Sequence, residues 1–253
     1  MTALRPCTAC GVGGAPTATY CRRCGTKFQD APLEAPPALA RASQFDDRRL
    51  LRELAWLCAA PVLLSIAYAV HARIFGLSAA AVLVTDGSFA AVALVGALRD
   101  WSLVRDALRL PTLRGVGSTL LVAAVVAPTL ILAFALIETL GFDLDESYFE
   151  PFAADAWPVW TAYVSIAVLT PLTEELLFRG LIQPKLEPLV GTTEALIVQA
   201  ALFSAIHLSV VILLTHFAMG LAFGWIRRST RSLLPSVLLH GAWNAGVLWE
   251  AMH

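Results

Sequence analysis

Residues 170–182 read TPLTEELLFRGLI, which sets Glu174, Glu175 and Arg179 inside an otherwise apolar run. On either side, WPVWTAYVSIAVL at 157–169 and TTEALIVQAALFSAI at 192–206 have the composition of bilayer-spanning helix. A charged side chain at the centre of a bilayer costs at least ~2.5 kcal/mol on insertion scales. Three of them within six positions are expected to face a cavity or one another, not lipid.

The wider composition agrees. Of 253 residues, 58% are hydrophobic and 15% charged, against about 45–50% and about 25% in soluble domains. The fold expected is an all-α polytopic membrane protein with membrane lipid as its surroundings. A net charge of −1 provides no field to recruit nucleic acid, so a nucleic-acid partner is not expected. Residues 1–50 contain no apolar run suited to a signal-peptide core, so the first hydrophobic segment, from about Leu54, is expected to act as an uncleaved anchor.

Apolar runs fall at about 54–71, 77–98, 116–140, 156–177, 193–208, 209–226 and 233–250. A helix across 193–226 would reach ~50 Å, too long for ~30 Å of hydrocarbon, so two short helices joined by a tight turn are expected there. The basic residues precede the first run (Arg48, Arg49, Arg52), follow the second (Arg99, Arg105, Arg109, Arg114) and follow the sixth (Arg227, Arg228, Arg231). The loop GFDLDESYFEPFAAD at 141–155 holds acids and no base. Seven spans with a cytoplasmic N-terminus put every basic cluster inside.

The N-terminal segment has a different chemistry. CTACGVGGAPTATYCRRCGTKF carries Cys7, Cys10, Cys21 and Cys24 as two C-x2-C pairs, each followed by glycine. Two such turns joined by a short β-hairpin complete a tetrahedral S4 site, which suits a structural zinc ion. A disulfide pair or an iron site are the competing readings, and a cytoplasmic location opposes the disulfides. The pattern resembles the small β zinc ribbons at the head of many bacterial membrane proteins, whose cytoplasmic partner here is unknown. The expected organisation is therefore a ribbon over 1–28, a Pro- and Ala-rich linker and basic flank over 29–52, and a helical membrane domain over 53–253. Cys58, alone in the first hydrophobic run, is expected to be a small buried hydrophobe.

Spacing sorts the polar residues within the membrane runs. Glu175 and Arg179 are four apart and can pair on one helix face. Glu174 is rotated about 100° from Glu175, so the two carboxylates can differ in role. Phe203 and His207 are four apart, as are His240 and Asn244. If the fourth helix continues to Pro184, Glu174 lies ~15 Å from its end, and His240 lies ~14 Å from Arg231. His207, ~22 Å along its helix from Thr192, fits a common depth least well. Asp86, Glu138 and His216 have no partner at helical spacing and are expected to be ordinary satisfied polar residues.

EELLFR, FSAIH and HGAWN match E-E-x-x-x-R, F-x-x-x-H and H-x-x-x-N in that order. They resemble the three signatures of the CPBP intramembrane protease family, also called Abi, which includes the type II CAAX prenyl endopeptidases. The resemblance covers about 155–250. It implies an endopeptidase of a membrane-associated or lipidated peptide or protein, in a bacterial inner membrane. By that resemblance Glu174 and His207 hold and deprotonate a water, Glu175 and Arg179 fix the geometry, and His240 and Asn244 form the oxyanion hole. Because His and Glu also ligate metals, a catalytic metal remains the competing mechanism. A non-catalytic scaffold or immunity factor would retain the same fold. A transporter would place similar residues at midplane, but no second half repeats the pattern.

Reporter fusions after Asp145 and after His253 are expected to report the outer side of the membrane. A cytoplasmic signal from the C-terminal fusion would mean that the division of 193–226 into two spans is wrong.

Overall fold

The computed structural model describes residues 5–10, 13–14, 18, 20–21, 23–26, 28, 37–142 and 149–252, with 37–47 described by backbone alone. Most of the expected linker before Pro37, and the acidic positions 143–148, lie outside the described residues. The chain divides into two compact units, 1–53 and 54–253.

In the first unit, β1 (Arg5–Pro6) and β2 (Gly13–Gly14) pair antiparallel, with Arg5 opposite Gly14 and Pro6 opposite Gly13. That two-residue pairing, on either side of the first knuckle, is the extent of strand structure among the described residues; most positions between the knuckles, where a β-hairpin was expected, lie outside them. Helix α1 runs Pro37–Phe75, starting well before Leu54 and taking in part of the stretch read as linker. The reason lies in ALARASQFDDRRLLREL, where Ala, Leu and Arg are strong helix formers and no Gly or Pro follows Pro37. Proline itself suits a first helical turn.

The remaining helices are α2 (Ala79–Arg99), α3 (Trp101–Ala107), α4 (Leu113–Thr139), α5 (Glu150–Ala154), α6 (Val159–Val190), α7 (Thr192–Ala205), α8 (Leu213–Thr230) and α9 (Leu234–Ala251). Among the described residues, four helical stretches are long and apolar enough to cross a membrane: Arg48–Phe75 of α1, α2, α4 and α6. The other three apolar runs form α7, with 14 residues, and α8 and α9, with 18 each. These shorter helices are less apolar because the polar residues His216, Arg227, Arg228, His240 and Asn244 lie in α8 and α9. The stretch 193–226 does break into two helices, at 206–212.

Helix α6 is central and α4 peripheral. Half of the most apolar window of α6 is buried, against 6% for α4. Leu113, Leu120, Leu121, Leu132 and Leu136 of α4 are all exposed, a surface that suits lipid and not water. Helix α6 is not a uniform α-helix: Tyr163–Leu169 and Leu176–Ile182 take the wider π pattern on either side of Thr170–Glu175. The helix also passes through Pro184 to Val190 instead of ending there. A π turn re-satisfies backbone groups that proline leaves unpaired, which accounts for the continuation.

Helices α2, α7, α8 and α9 surround α6. Ala79, Phe152, Ala162, Ile166 and Leu248 form a core cluster from α2, α5, α6 and α9. Asp155 Oδ2 accepts the amide of Ala79 at 2.8 Å, satisfying a donor that the start of α2 leaves unpaired. At the other end of α2, Lys185 Nζ donates to Asp100 Oδ2 at 2.5 Å, joining α6 to the junction of α2 and α3. Gly220 and Gly224, spaced as small-x-x-x-small, let α8 press against α7. A Cβ at Gly220 would stand 2.8 Å from Ala200 Cα, and one at Gly224 would stand 2.5 Å from the Gln199 side chain.

Gly220→Ala sets helix propensity against packing. Alanine favours the helix by about 1 kcal/mol, whereas overpacking against a backbone atom costs about 1–3 kcal/mol. The variant is expected to unfold at lower temperature in detergent. Gly117→Ala, where a Cβ meets nothing within 4 Å, is expected to be neutral or stabilising; equal behaviour of the two would contradict this packing.

Candidate active site

The site begins on α6, where the pairing expected from the four-residue spacing is present. Arg179 Nη1 donates to Glu175 Oε1 at 2.8 Å, with neither side chain exposed. Arg179 Nη2 also donates to the carbonyl of Gly220 at 3.3 Å, and its guanidinium lies 4.3 Å from the ring centre of Phe203 and 5.5 Å from that of Phe223. Aromatic faces favour a desolvated guanidinium. The Gly220 carbonyl accepts Gln199 Nε2 as well, at 2.8 Å, so α6, α7 and α8 meet at one backbone oxygen.

From α9, His240 completes a chain of charge. Its Nδ1 is 3.2 Å from Glu175 Oε1, and its Nε2 is 3.8 Å from Glu174 Oε2. Its ring stacks on Phe223 at 5.3 Å between centres. Glu175 is thus held at Oε1 by two N–H groups, while Glu174 Oε2 faces His240 Nε2 at 3.8 Å, beyond hydrogen-bond reach; Oε2 of each carboxylate has no hydrogen-bond partner among the described residues. Neighbouring carboxylates on one helix therefore differ: Glu175 is tied to two partners at hydrogen-bond distance and Glu174 is held more loosely.

Asn244 lies one turn after His240. Its Nδ2 donates to the carbonyl of Ile166 at 2.8 Å, within the first π segment, leaving one amide hydrogen for another acceptor. Gly241 permits this approach, since a Cβ there would stand 2.7 Å from the Ala167 carbonyl oxygen. The same π segment is held from the other side, where Ser165 Oγ donates to Asp86 Oδ2 of α2. Asp86 is satisfied, though by a group 79 residues away and not on its own helix. Glu138 is exposed at the end of α4.

His207 enters differently. Helix α7 ends at Ala205, so His207 stands on the turn beyond it. Leu208, the next residue, has φ +53°, a left-handed conformation unusual for a branched side chain. His207 Nδ1 donates to the Phe203 carbonyl at 2.9 Å, the ring nitrogen not so bonded being Nε2. No hydrogen bond joins it to Glu174 among the described residues. It is gathered to the site through Phe203, whose ring lies 5.2 Å from His207 and 5.8 Å from His240. His216 was read as lying off the site, yet its ring centre is 4.0 Å from that of His207. The turn at 206–212 brings residues nine apart together, a proximity that helical periodicity does not reveal.

Residues 156–246 match the family model described as type II CAAX prenyl endopeptidase Rce1-like. Over this segment the chain is similar to that family. The segment contains Glu174, Glu175, Arg179, His207, His240 and Asn244, while Asp86 and the four cysteines lie outside it. No curated protein and no solved structure gives a match.

Among the described residues, Cys7, Cys10, Cys21 and Cys24 are the one group of three or more His, Cys, Asp or Glu whose ligand atoms converge, all within 4.8 Å of one another. The donor set fits a metal ion. The glutamates and histidines of the membrane site form pairs instead, with both nitrogens of His240 turned to carboxylates, and do not offer such a set. None of the four cysteines is in a disulfide. In the second knuckle the Cys21 amide donates to the Thr26 carbonyl at 2.8 Å and the Gly25 amide to the Cys21 carbonyl at 2.9 Å, with Gly25 at φ +72°. A non-glycine residue would be strained there. Hydrogen bonds from Thr26 pull the Cys24 thiol down to about 6, and the backbone at Arg23 and Cys24 lowers Cys21. Thiolates, the form that binds metal, are thereby favoured at neutral pH.

The full chain is expected to carry one metal ion at pH 7 and to release it as acid returns protons to the thiolates. Metal analysis of the purified protein across pH 7 to 4 measures this. A chain that holds no metal at pH 7 would contradict the cluster's reading.

Proposed function

We propose that the domain hydrolyses a peptide bond in a membrane-associated or lipidated substrate, within a bacterial inner membrane and with the N-terminus in the cytoplasm. What carries this reading is the asymmetry of the two glutamates: Glu175 Oε1 is engaged by Arg179 at 2.8 Å and by His240 at 3.2 Å, whereas the charged partner of Glu174 Oε2, His240 Nε2, stands back at 3.8 Å. Such a pair separates a positioning group from a reacting one. Glu174 and His207 hold the water, and Glu174 takes its proton as the oxygen attacks the substrate carbonyl. The carbonyl oxygen becomes an oxyanion, received by the Nε2–H of His240 and the remaining amide hydrogen of Asn244. As the C–N bond breaks, Glu174 returns the proton to the leaving amine. Glu175 and Arg179 keep His240 oriented through the cycle.

The match to a CAAX endopeptidase family supports the reaction class, and the buried, mutually paired charges support a site shielded from lipid. The four-cysteine segment is proposed to hold zinc in a structural role, since all four ligands come from the protein, and to engage a cytoplasmic partner.

Cleavage of a membrane peptide by purified enzyme in detergent tests the mechanism. Loss of a general base costs about 10²–10⁴ in rate, so Glu174→Gln should fall by that order while remaining folded. Loss of one oxyanion donor costs about 10²–10³, which sets the expectation for Asn244→Ala. Full activity in Glu174→Gln would sink the mechanism. Folded wild-type protein that cleaves nothing would favour a non-catalytic scaffold.

A further inference from the structure

We infer that His216 is a positioning residue that fixes the ring of His207. The inference starts from how little else restrains that ring. His207 lies past the end of α7, followed by Leu208 at φ +53°, so no succeeding helical turn packs against it. One hydrogen bond, from Nδ1 to the Phe203 carbonyl, sets one edge of the ring. Its faces meet two rings, Phe203 at 5.2 Å and His216 at 4.0 Å between centres. Of these, His216 is much the closer.

His216 is itself firmly held. It lies in the first turn of α8, and its Nδ1 donates to the Ile212 carbonyl at 3.1 Å. Phe203 stacks with it at 6.3 Å and 28°. Across the turn, Ser204 Oγ donates to the Leu213 carbonyl at 2.5 Å, so the end of α7 and the start of α8 keep a fixed separation. The two imidazoles are thus carried on elements stapled to each other, and both rest on Phe203. In each ring Nδ1 is engaged by a carbonyl four residues earlier, leaving Nε2 as the unprotonated nitrogen of the neutral form. A ring swap or rotation at His207 would exchange that acceptor for an N–H. The His216 ring blocks the movement by occupying the space next to it.

The kinetic consequence rests on the role proposed for His207; the spectroscopic one does not. Full-length protein labelled with ¹⁵N-histidine in detergent micelles has five histidines, assigned by single substitutions. Wild type is expected to show His207 in one Nδ1–H tautomer. In His216→Ala its two nitrogens should broaden or average, and in His216→Phe, which keeps a ring, the wild-type pattern should return. A His207 signal unchanged in His216→Ala overturns the inference, as does a His216→Phe spectrum that resembles the alanine variant.

In the cleavage assay, misplacing a reacting group can cost about 10²-fold. His216→Ala is therefore expected to lower kcat by about 10- to 100-fold with KM unchanged, and His216→Phe to restore most of it. Because His216 acts through His207, the double variant His207→Ala/His216→Ala should be no slower than His207→Ala alone. A further, multiplicative loss in the double variant would overturn the positioning role. Failures of the two readings are separable: an active Glu174→Gln enzyme overturns the hydrolytic mechanism, whereas an unaltered His207 spectrum overturns the assignment of His216.

Discussion

Arg179 carries a permanent charge with none of its side chain exposed, in a helix long and apolar enough to cross a membrane. Isolated, that charge would cost several kcal/mol to desolvate. Glu175 supplies the opposite charge at 2.8 Å, but one carboxylate cannot satisfy five donors. The remaining demand falls on the Gly220 carbonyl and on the faces of Phe203 and Phe223. Each of these constrains the fold. A helix carbonyl free enough to accept Arg179 and Gln199 must lie where two helices nearly touch, and Gly220 against Ala200 supplies that approach. The aromatic shell in turn contacts the histidines. Removing either member of a buried ion pair costs about 3–5 kcal/mol, so this pair is as much a requirement of the fold as of any reaction.

The chain also leaves helical geometry between α7 and α8. Backbone that leaves helical geometry at membrane depth is tolerated only when it is buried in protein or lines a cavity. The turn at 206–212 does leave it, with Leu208 in the left-handed region. Ser204 satisfies the Leu213 carbonyl, and the histidine rings cap the Phe203 and Ile212 carbonyls. A turn that would be costly in lipid is thus closed by polar side chains, two of which are the imidazoles themselves.

Legibility in the sequence followed the range of the interaction. Glu175–Arg179 depends on one helix, and its spacing alone foretold it. The break within 193–226 was legible because a continuous helix would have exceeded the bilayer. The proximity of His216 to His207 was not legible because a turn creates it, and the partner of Asp86 was not because Ser165 is 79 residues away. The π segments of α6 have no signature in hydrophobic period. The early start of α1 was obscured because alanine and proline together read as a linker, although alanine is also the best helix former. Pro184 misled in the opposite sense, since a widened turn lets α6 continue through it.

His240 connects the part of the site that is fixed to the part that reacts. The two nitrogens of an imidazole cannot move independently, so a hydrogen bond that orients one orients the other. With Nδ1 held by Glu175, which is held by Arg179, the direction of Nε2 is set by the ion pair on α6. Nε2 points toward Glu174, at 3.8 Å from its Oε2. Asn244, one turn along α9, is registered by the Ile166 carbonyl of the first π segment, and Ser165 of that segment is tied to Asp86 on α2. Both groups proposed to receive an oxyanion are therefore aligned by α6, His240 through its second glutamate and Asn244 through its widened turn. Helix α9 supplies the donors, and α6 determines where they point.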